Sequence, residues 1–336
     1  MVYGNCMTEQ ELKEARAIKW RVAGNAIRTL EDAKRFIEDV GFCLIYPVRS
    51  LPLVPTFMGA YVGAAEGLPE AKHAFSDPRT QPAIDLMVRL LRERHAFELN
   101  LPGDIGLLVS ARLLPFFYVV VGDRSLKASP TIKAQGAQVS PLALKVFEVL
   151  KKRGPLSKGR LRELVGHEPA PAALDRALNE LWAILKITRV DYRKEEGALW
   201  DVLYRWARQA LNHSLGIKFS GGLTAVLSKY VESVIAADQE DIERFFSTLV
   251  PRQKIREAVH ALQATRQLSF VSLETRTLIR MTPLFVEPSK ADTRIRNKRQ
   301  RSSNSISPAQ DSKDKSSTDK GFPGKQHADQ GLRRRG

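Results

Sequence analysis

The side chains that most often carry catalysis are dispersed in this sequence. The histidines occur singly, without a nearby nucleophile or second metal ligand, as at His95, His167, His213 and His260. The chain has no HExxH zinc motif, no GxSxG nucleophile turn and no glycine-rich phosphate loop. An isolated histidine is more often a surface or helix-end residue than a ligand. These patterns therefore indicate neither a serine nucleophile nor metal catalysis.

The two cysteines do not form a metal-binding or disulfide pattern. Cys6 and Cys43 lie outside any CxxC motif, so the sequence predicts free thiols in a reducing compartment and no bound metal. Glu9, Glu11 and Glu14 stand where a secretory signal would need an apolar run. We therefore expect a cytoplasmic protein.

Two carboxylates and two glycines are explained by local structure at least as well as by a functional site. Glu38 and Asp39 end a predicted helix, where they either serve a site on the following strand or form a solvated helix face. Gly221 and Gly222 are interpreted as a loop before a helix.

Basic side chains dominate the charge. The 53 Lys and Arg outnumber the 37 Asp and Glu, and the net charge of +16 with a pI near 9.9 is typical of a polyanion binder. Residues 288–336 hold 13 basic and 5 acidic side chains and so carry half of the excess. Nucleic acid is the partner that this composition favours.

The candidate DNA contacts lie on predicted helices, on one hairpin and in the C-terminal tail. They are Arg252, Lys254 and Arg256 on one helix, Arg189, Arg193 and Lys194 on the hairpin, Arg176, Arg89 and Arg92 on other helices, and Arg299 and Arg301 in the tail. The first group suits a recognition helix, although a solvated helix face balanced by Glu257 explains it equally well.

Residues 1–135 are predicted to form an N-terminal domain of helices and strands. Thr29 and Asp32 have capping-box spacing, and Gly41 ends the helix that they begin. A strand is predicted over 42–46 and an amphipathic helix over 84–95. The apolar run over 105–122 contains Arg112 near its middle, so we interpret it as two buried strands and not as a membrane span.

The remaining chain repeats one order of elements. In residues 138–213 the prediction is a helix from Ser140 to Gly154, a short helix from Ser157 to Gly166, a helix over 171–185, and strands over 186–193 and 198–206. In residues 221–287 it is helices over 223–235, from Asp238 and from Pro251, and strands over 267–273 and 277–282. Helix, helix, helix and hairpin is the order of a winged helix-turn-helix. The predicted fold class is therefore mainly α with small β-hairpins (α+β), with tandem winged helix-turn-helix domains.

The C-terminal residues 288–336 differ in composition from the rest. Ser, Lys, Asp, Gln and Gly dominate, and Phe322 is the only aromatic residue. Such a segment buries too little apolar surface to offset chain entropy. We predict a disordered basic tail.

Sequence blocks across residues 20–285 carry a family resemblance. The blocks are TLEDAKRFIEDVGFCLIYP at 29–47, LLPFFYVV at 113–120, KVFEVLKKRGPLSKGRLREL at 145–164, LDRALNELWAILKI at 174–187 and LSKYVESVIAADQEDIERFF at 227–246. Through them the chain resembles the bacterial winged-helix DNA glycosylases that unhook interstrand crosslinks, in the AlkZ-related branch. The resemblance implies a concave basic surface for duplex DNA, with no metal and no organic cofactor.

The resemblance also points to two strand positions. Active members of that family carry a Gln-x-Gln or Gln-x-Asp pair that positions the attacking water, and the matching positions here are Leu44 and Tyr46. Leu cannot orient water, and a Tyr phenol with a pKa of about 10 is a poor general base at neutral pH. We expect a monomeric, nucleoid-associated duplex-DNA binder that lacks this pair. The alternatives are a glycosylase with other catalytic residues, and a winged-helix transcriptional regulator or interaction scaffold.

Overall fold

A computed structural model describes residues 6–68, 77–130, 139–166 and 169–283 of the chain. The described residues belong to one unit, which ends at Pro283. The predicted tail 288–336, with Arg299 and Arg301, lies outside them, as does His167.

Local capping signals set the ends of several helices. Thr29 Oγ1 accepts a hydrogen bond from the Asp32 N–H at 3.1 Å, and the Asp32 carboxylate accepts one from the Thr29 N–H at 3.0 Å. Gly41 ends this helix with φ at 78°, in the left-handed region that favours glycine. The Oγ atoms of Ser140 and Ser157 likewise accept from backbone N–H groups three residues further on. These predicted caps are confirmed.

The N-terminal segment places a small sheet among helices. Its helices are α1 (Glu9–Lys19), α2 (Leu30–Val40), α3 (Phe57–Val62), α4 (Gln81–Arg92) and α5 (Leu114–Val121), and its strands are β1 (Cys6–Met7), β2 (Phe42–Leu44), β3 (Ala96–Leu101) and β4 (Ile105–Ser110). Strands β2, β4 and β3 form an antiparallel sheet in that order. Strand β1 leaves this segment and pairs in parallel with a strand near residue 272.

The middle segment packs three helices against a second antiparallel sheet. The elements are α6 (Pro141–Arg153), β5 (Leu156–Ser157), α7 (Lys158–Val165), α8 (Pro171–Ala183), β6 (Ile187–Arg193), β7 (Gly197–Val202), α9 (Leu203–Trp206) and α10 (Arg208–Ser214). The strand order is β5-β7-β6. The core of this segment includes an edge-on pair of indole rings, Trp182 and Trp200, with centroids 4.9 Å apart.

The last segment has the same order of elements up to its hairpin. It contains α11 (Phe219–Val234), β8 (Ala236–Ala237), α12 (Gln239–Phe246), α13 (Arg252–Ala264), β9 (Leu268–Leu273) and β10 (Arg276–Met281). Its sheet has the order β1-β9-β10-β8. Phe42 of β2 stacks on Phe245 of α12 at 5.1 Å, and Phe245 stacks on Tyr230 of α11 at 5.3 Å. This aromatic cluster joins the first sheet to the last segment.

Several expectations from the sequence are wrong in detail. The strand expected over 42–46 ends at Leu44, so Tyr46 lies beyond β2. The apolar run over 105–122 forms β4 and then helix α5, because Pro115 at the start of the second half favours a helical first turn. The strand expected over 198–206 ends at Val202, and helix α9 follows. Gly221 and Gly222 lie within α11 and not in a loop. A side chain on Gly222 would collide with α5, so this glycine permits the close approach of the two helices.

The described residues form a mixture of helices with small sheets, so the predicted α+β class is confirmed. None of the helices in this part of the chain is long and apolar enough to cross a membrane. Over the same residues, no three His, Cys, Asp or Glu side chains are grouped as they would be to hold a metal ion.

Candidate functional site

Leu44, the first of the two family positions, belongs to the apolar core. It is the last residue of β2, pairs with Leu107 of β4, and is 0 % exposed. Its backbone N–H donates to the carbonyl of Pro55 at 2.9 Å. The side chain therefore packs against other apolar residues and lines none of the cavities described below.

Tyr46, the second position, lines a polar cavity of about 300 Å³. Its hydroxyl donates to the backbone carbonyl of Asp104 at 3.3 Å. The pKa of Tyr46 is raised because the effect of burial exceeds that of a backbone hydrogen bond from Gly106, which lowers it. The phenol is protonated at neutral pH, so it can orient water but is a poor base. We call this space the Tyr46 cavity; its other lining residues are Ile45, Glu98, Asn100, Asp104, Gly106, Lys158, Asp175, Leu178, Asn179, Trp182, Arg189 and Trp200.

Glu98 is the most unusual group in the Tyr46 cavity, because its carboxylate is only 2 % exposed. Burial raises the pKa of Glu98, and the neighbouring Arg189 opposes that shift. Arg189 Nη1 donates to Glu98 Oε1 at 2.9 Å. The Arg189 guanidinium also lies 4.4 Å and 5.1 Å from the ring centroids of Trp182 and Trp200. This positions a carboxylate, partly neutralised by one cation, at the wall of the cavity.

Backbone contacts between the first and middle segments fix Glu98 in place. Its carbonyl accepts hydrogen bonds from Trp182 Nε1 at 2.8 Å and from Thr188 Oγ1 at 3.0 Å. These donors come from α8 and β6, so the cavity forms where those elements pack on β3. Glu98 was not among the site residues predicted from the sequence. The signal that could have found it is a lone acidic residue between the apolar Phe97 and Leu99 of a buried strand.

A second wall of the Tyr46 cavity consists of amides and a carboxylate. Asn100 and Asn179 both donate to Asp104 Oδ1, at 3.2 Å and 2.9 Å. In the described part of the chain, Arg189 Nε and Trp200 Nε1 are buried without a hydrogen-bond partner. Both are donor atoms of residues that line the cavity, whose lining carboxylates are Glu98, Asp104 and Asp175.

Of the nine predicted DNA contacts within the described residues, five form ion pairs with carboxylates. Arg189 binds Glu98 as described above, and Arg193 pairs with Glu196 at 3.0 Å. On α13, Lys254 pairs with Glu257 at 2.8 Å and Arg256 pairs with Glu243 at 2.7 Å. Arg92 pairs with Asp191 at 2.6 Å. Arg252, Lys194, Arg176 and Arg89 are exposed. Their contact with DNA remains a prediction.

The carboxylates that close α2 are engaged elsewhere. Asp39 pairs with Lys19 at 2.7 Å, and Glu38 lies 3.7 Å from Arg112. Neither residue lines the Tyr46 cavity. Cys43 is buried, and its burial raises the pKa of the thiol, so it is not a reactive thiolate.

Among solved structures, a DNA glycosylase has a similar fold. The fold is similar to that of the DNA glycosylase AlkZ of Streptomyces sahachiroi, with a TM-score of 0.51 and 13% sequence identity, over 82% of this chain and 70% of that chain. The DIP2311 protein of Corynebacterium diphtheriae shares 13% identity over 68% of this chain and 41% of that chain, with a TM-score of 0.18. Neither family models nor curated protein sequences match this chain. At this identity the likeness to AlkZ establishes the fold alone.

Proposed function

We propose that this protein has a DNA-glycosylase-like fold, binds duplex DNA, and does not excise bases with the side chains at positions 44 and 46. The observation that carries the proposal is the complete burial of Leu44 in the apolar core. A side chain there can neither contact DNA nor hold a water. Tyr46 reaches the cavity but brings a protonated phenol. The chain therefore has the fold of a glycosylase without the polar pair that would position the attacking water.

Two winged helix-turn-helix units are the proposed DNA-binding elements. The middle and last segments share the order helix, strand, helix, helix, hairpin, and in both the short strand pairs with the second strand of the hairpin. In this interpretation α8 and α13 are recognition helices, and the β6-β7 and β9-β10 turns are wings. Arg176 and Arg252 lie on these helices and Lys194 on a wing, all exposed to solvent.

Duplex binding is tested by fluorescence anisotropy over a range of salt concentrations. With about six phosphate contacts, affinity falls by roughly three orders of magnitude between about 50 and 200 mM salt. Replacing two contact residues, in the variant Lys194→Gln with Arg252→Gln, lowers the slope of log K against log salt by about 1.8. The control is Lys13→Gln with Arg35→Gln, which removes equal charge from exposed positions of α1 and α2. Absence of binding at low salt, or binding that salt does not weaken, contradicts the proposal.

The Tyr46 cavity supports a second candidate, a glycosylase that uses Glu98. A carboxylate whose pKa is raised by burial is a better general base near neutral pH than an ordinary one. In such a reaction Glu98 accepts a proton from water, the water oxygen bonds to the sugar carbon, and the leaving base takes the electrons of the broken N-glycosidic bond. The test compares base release by the wild type and by Glu98→Gln. Release that disappears in the variant, at unchanged duplex affinity, favours this candidate.

A further inference from the structure

Two adjoining cavities lie beside α9 and α10, away from the Tyr46 cavity. Their volumes are about 350 Å³ and 710 Å³, and both are lined by Arg205 and Arg208. Phe97 lines the larger cavity, whereas its neighbour Glu98 lines the Tyr46 cavity. Successive side chains of a strand point to opposite faces, so the larger cavity lies on the other face of β3 from the Tyr46 cavity. We call the pair the basic groove.

Every charged side chain that lines the basic groove, among the residues described, is basic. Those of the smaller cavity are Lys127, Lys151, Lys186, Arg205 and Arg208, and the larger cavity adds Arg94 and Arg112, with His213 beside them. A concave surface lined by one sign of charge concentrates the electric field and attracts counter-charged ligands.

Some of these cations stabilise the fold. Lys186 is buried and its Nζ lies 3.2 Å from the Asp123 carboxylate. Arg205 pairs with the buried Asp201 and donates to the backbone carbonyl of Lys151 at 2.7 Å. These two side chains are therefore satisfied within the protein and are not available as the principal ligand contacts.

Three other cations of the groove contact aromatic residues: Arg94 and Lys127 lie against rings, and Arg208 forms a hydrogen bond with Tyr204. The Arg94 guanidinium lies 4.7 Å from the ring centroid of Trp206, and Lys127 Nζ lies 4.9 Å from that of Tyr204. Within the described ranges, no carboxylate forms an ion pair with Arg94, Lys127 or Arg208. Their charge is therefore available to an anionic ligand.

The ionisation of Tyr204 is a second sign of positive potential in the groove. Desolvation acts to raise the pKa of Tyr204, but hydrogen bonds and charge from Lys127 and Arg208 outweigh it, so the pKa is lowered. A neighbourhood that favours a phenolate also favours a phosphate oxygen.

We propose that the basic groove binds a single strand of nucleic acid, with Arg94, Lys127 and Arg208 on its phosphates. Arginine matches the geometry of phosphate oxygens, and a basic groove with interspersed aromatic rings is the arrangement that binds single strands without sequence preference. Cavities of this size admit one strand, whereas a duplex would contact only their rim. This site is independent of the proposed duplex-binding helices, which share no residue with it.

The experiment measures binding of a labelled short oligothymidylate to the full chain by anisotropy, over a range of salt concentrations. The variant Arg94→Gln with Arg208→Gln removes two groove cations, and Lys13→Gln with Arg35→Gln is the equal-charge control. The groove variant is expected to lower the slope of log K against log salt by about 1.4 and to weaken binding on the order of tenfold at low salt. The control pair is expected to leave both unchanged.

Two further measurements keep the test decisive. If circular dichroism shows that the groove variant is unfolded, the single variant Lys127→Gln, at an exposed position, replaces it. This variant is expected to lower the slope of log K against log salt by about 0.7. Duplex affinity is expected to persist in the groove variants, so failure of duplex binding and failure of the groove are distinguishable. The proposal is overturned if both double variants lose the same oligothymidylate affinity or if the groove variant loses none. It is also overturned if polyglutamate competes for the protein as effectively as the oligonucleotide.

Discussion

Arg189 of strand β6 donates to the Glu98 carboxylate of strand β3 at 2.9 Å, across the boundary between the first and middle segments. Glu98 is 2 % exposed, whereas the Arg189 side chain is about one-third exposed at 36%. The pair therefore places a charge in the protein interior and holds the wall of the Tyr46 cavity. An interior carboxylate with a single cationic partner makes the stability of the fold depend on pH.

That pH dependence is the first prediction. Burial raises the pKa of Glu98 in the folded protein above its ordinary 4.5, so the folded state binds the proton more tightly than the unfolded state. The free energy of unfolding contributed by this group therefore falls as pH rises from the ordinary pKa through the raised one. In Glu98→Gln this slope is absent, and the stability of the variant relative to wild type increases across that window.

The free energies of unfolding of the wild type and of Glu98→Gln are compared by urea unfolding at a series of pH values, followed by circular dichroism. The neutral amide of the variant keeps a similar volume, so packing is nearly unchanged. Parallel pH profiles, or a relative stability that changes in the opposite direction, would show that Glu98 is not held in an environment that disfavours its charge.

Position 44 gives the second prediction. Leu44→Gln buries an amide among apolar residues, and we expect it to lower the free energy of unfolding by about 2–5 kcal/mol. Leu44→Met keeps the volume and apolar character, so its cost is expected to stay below about 1.5 kcal/mol. Urea unfolding checks both values. A Gln variant as stable as wild type would mean that position 44 faces a polar space and not the core.

The sequence predicted the elements best where a local signal determines them. The capping box of Thr29 and Asp32 and the cap at Ser140 act within one helical turn, so residue type and spacing are sufficient. The apolar run at 114–121 has no such period, because it is buried on most sides against neighbouring helices. Periodicity alone cannot distinguish a helix from a strand in such a run.

The candidate site was predicted only in part for a related reason. The alignment with the family indicated Tyr46, which does line the cavity, but Glu98 and Asn179 are 81 residues apart in sequence and meet only through tertiary packing. Likewise, the partners of Arg189 and Arg256 are contributed by other elements of the fold. Sequence spacing identifies a charged side chain but not the carboxylate that pairs with it.

Adjacent glycines in α11 give the third prediction. A Cβ on Gly222 would lie 2.9 Å from Val119 Cγ1 of α5, whereas one on Gly221 would meet only Ile217 Cγ2 at 3.8 Å. Gly222→Ala therefore forces α5 and α11 apart and is expected to cost about 1–3 kcal/mol. Gly221→Ala is expected to stabilise the exposed helix position by about 0.5–1 kcal/mol, because it reduces the entropy of the unfolded chain.

Thermal unfolding of the two alanine variants compares them under one condition. Opposite shifts of the melting temperature are expected, and each variant serves as the control for the other. Equal shifts would mean that the two helices do not approach as closely as the structure indicates.

If this chain binds duplex DNA without excising bases through positions 44 and 46, a measurement of base release under single-turnover conditions will show it. Duplexes that carry an N7-alkylated purine or an interstrand crosslink are incubated with an excess of the wild-type protein. The protein concentration is one at which anisotropy shows the duplex to be saturated. The proposed function predicts no base release and no unhooking above the protein-free control, because Leu44 is buried and the Tyr46 phenol is protonated. Release or unhooking that rises with protein concentration and that is lost in Tyr46→Phe would contradict it.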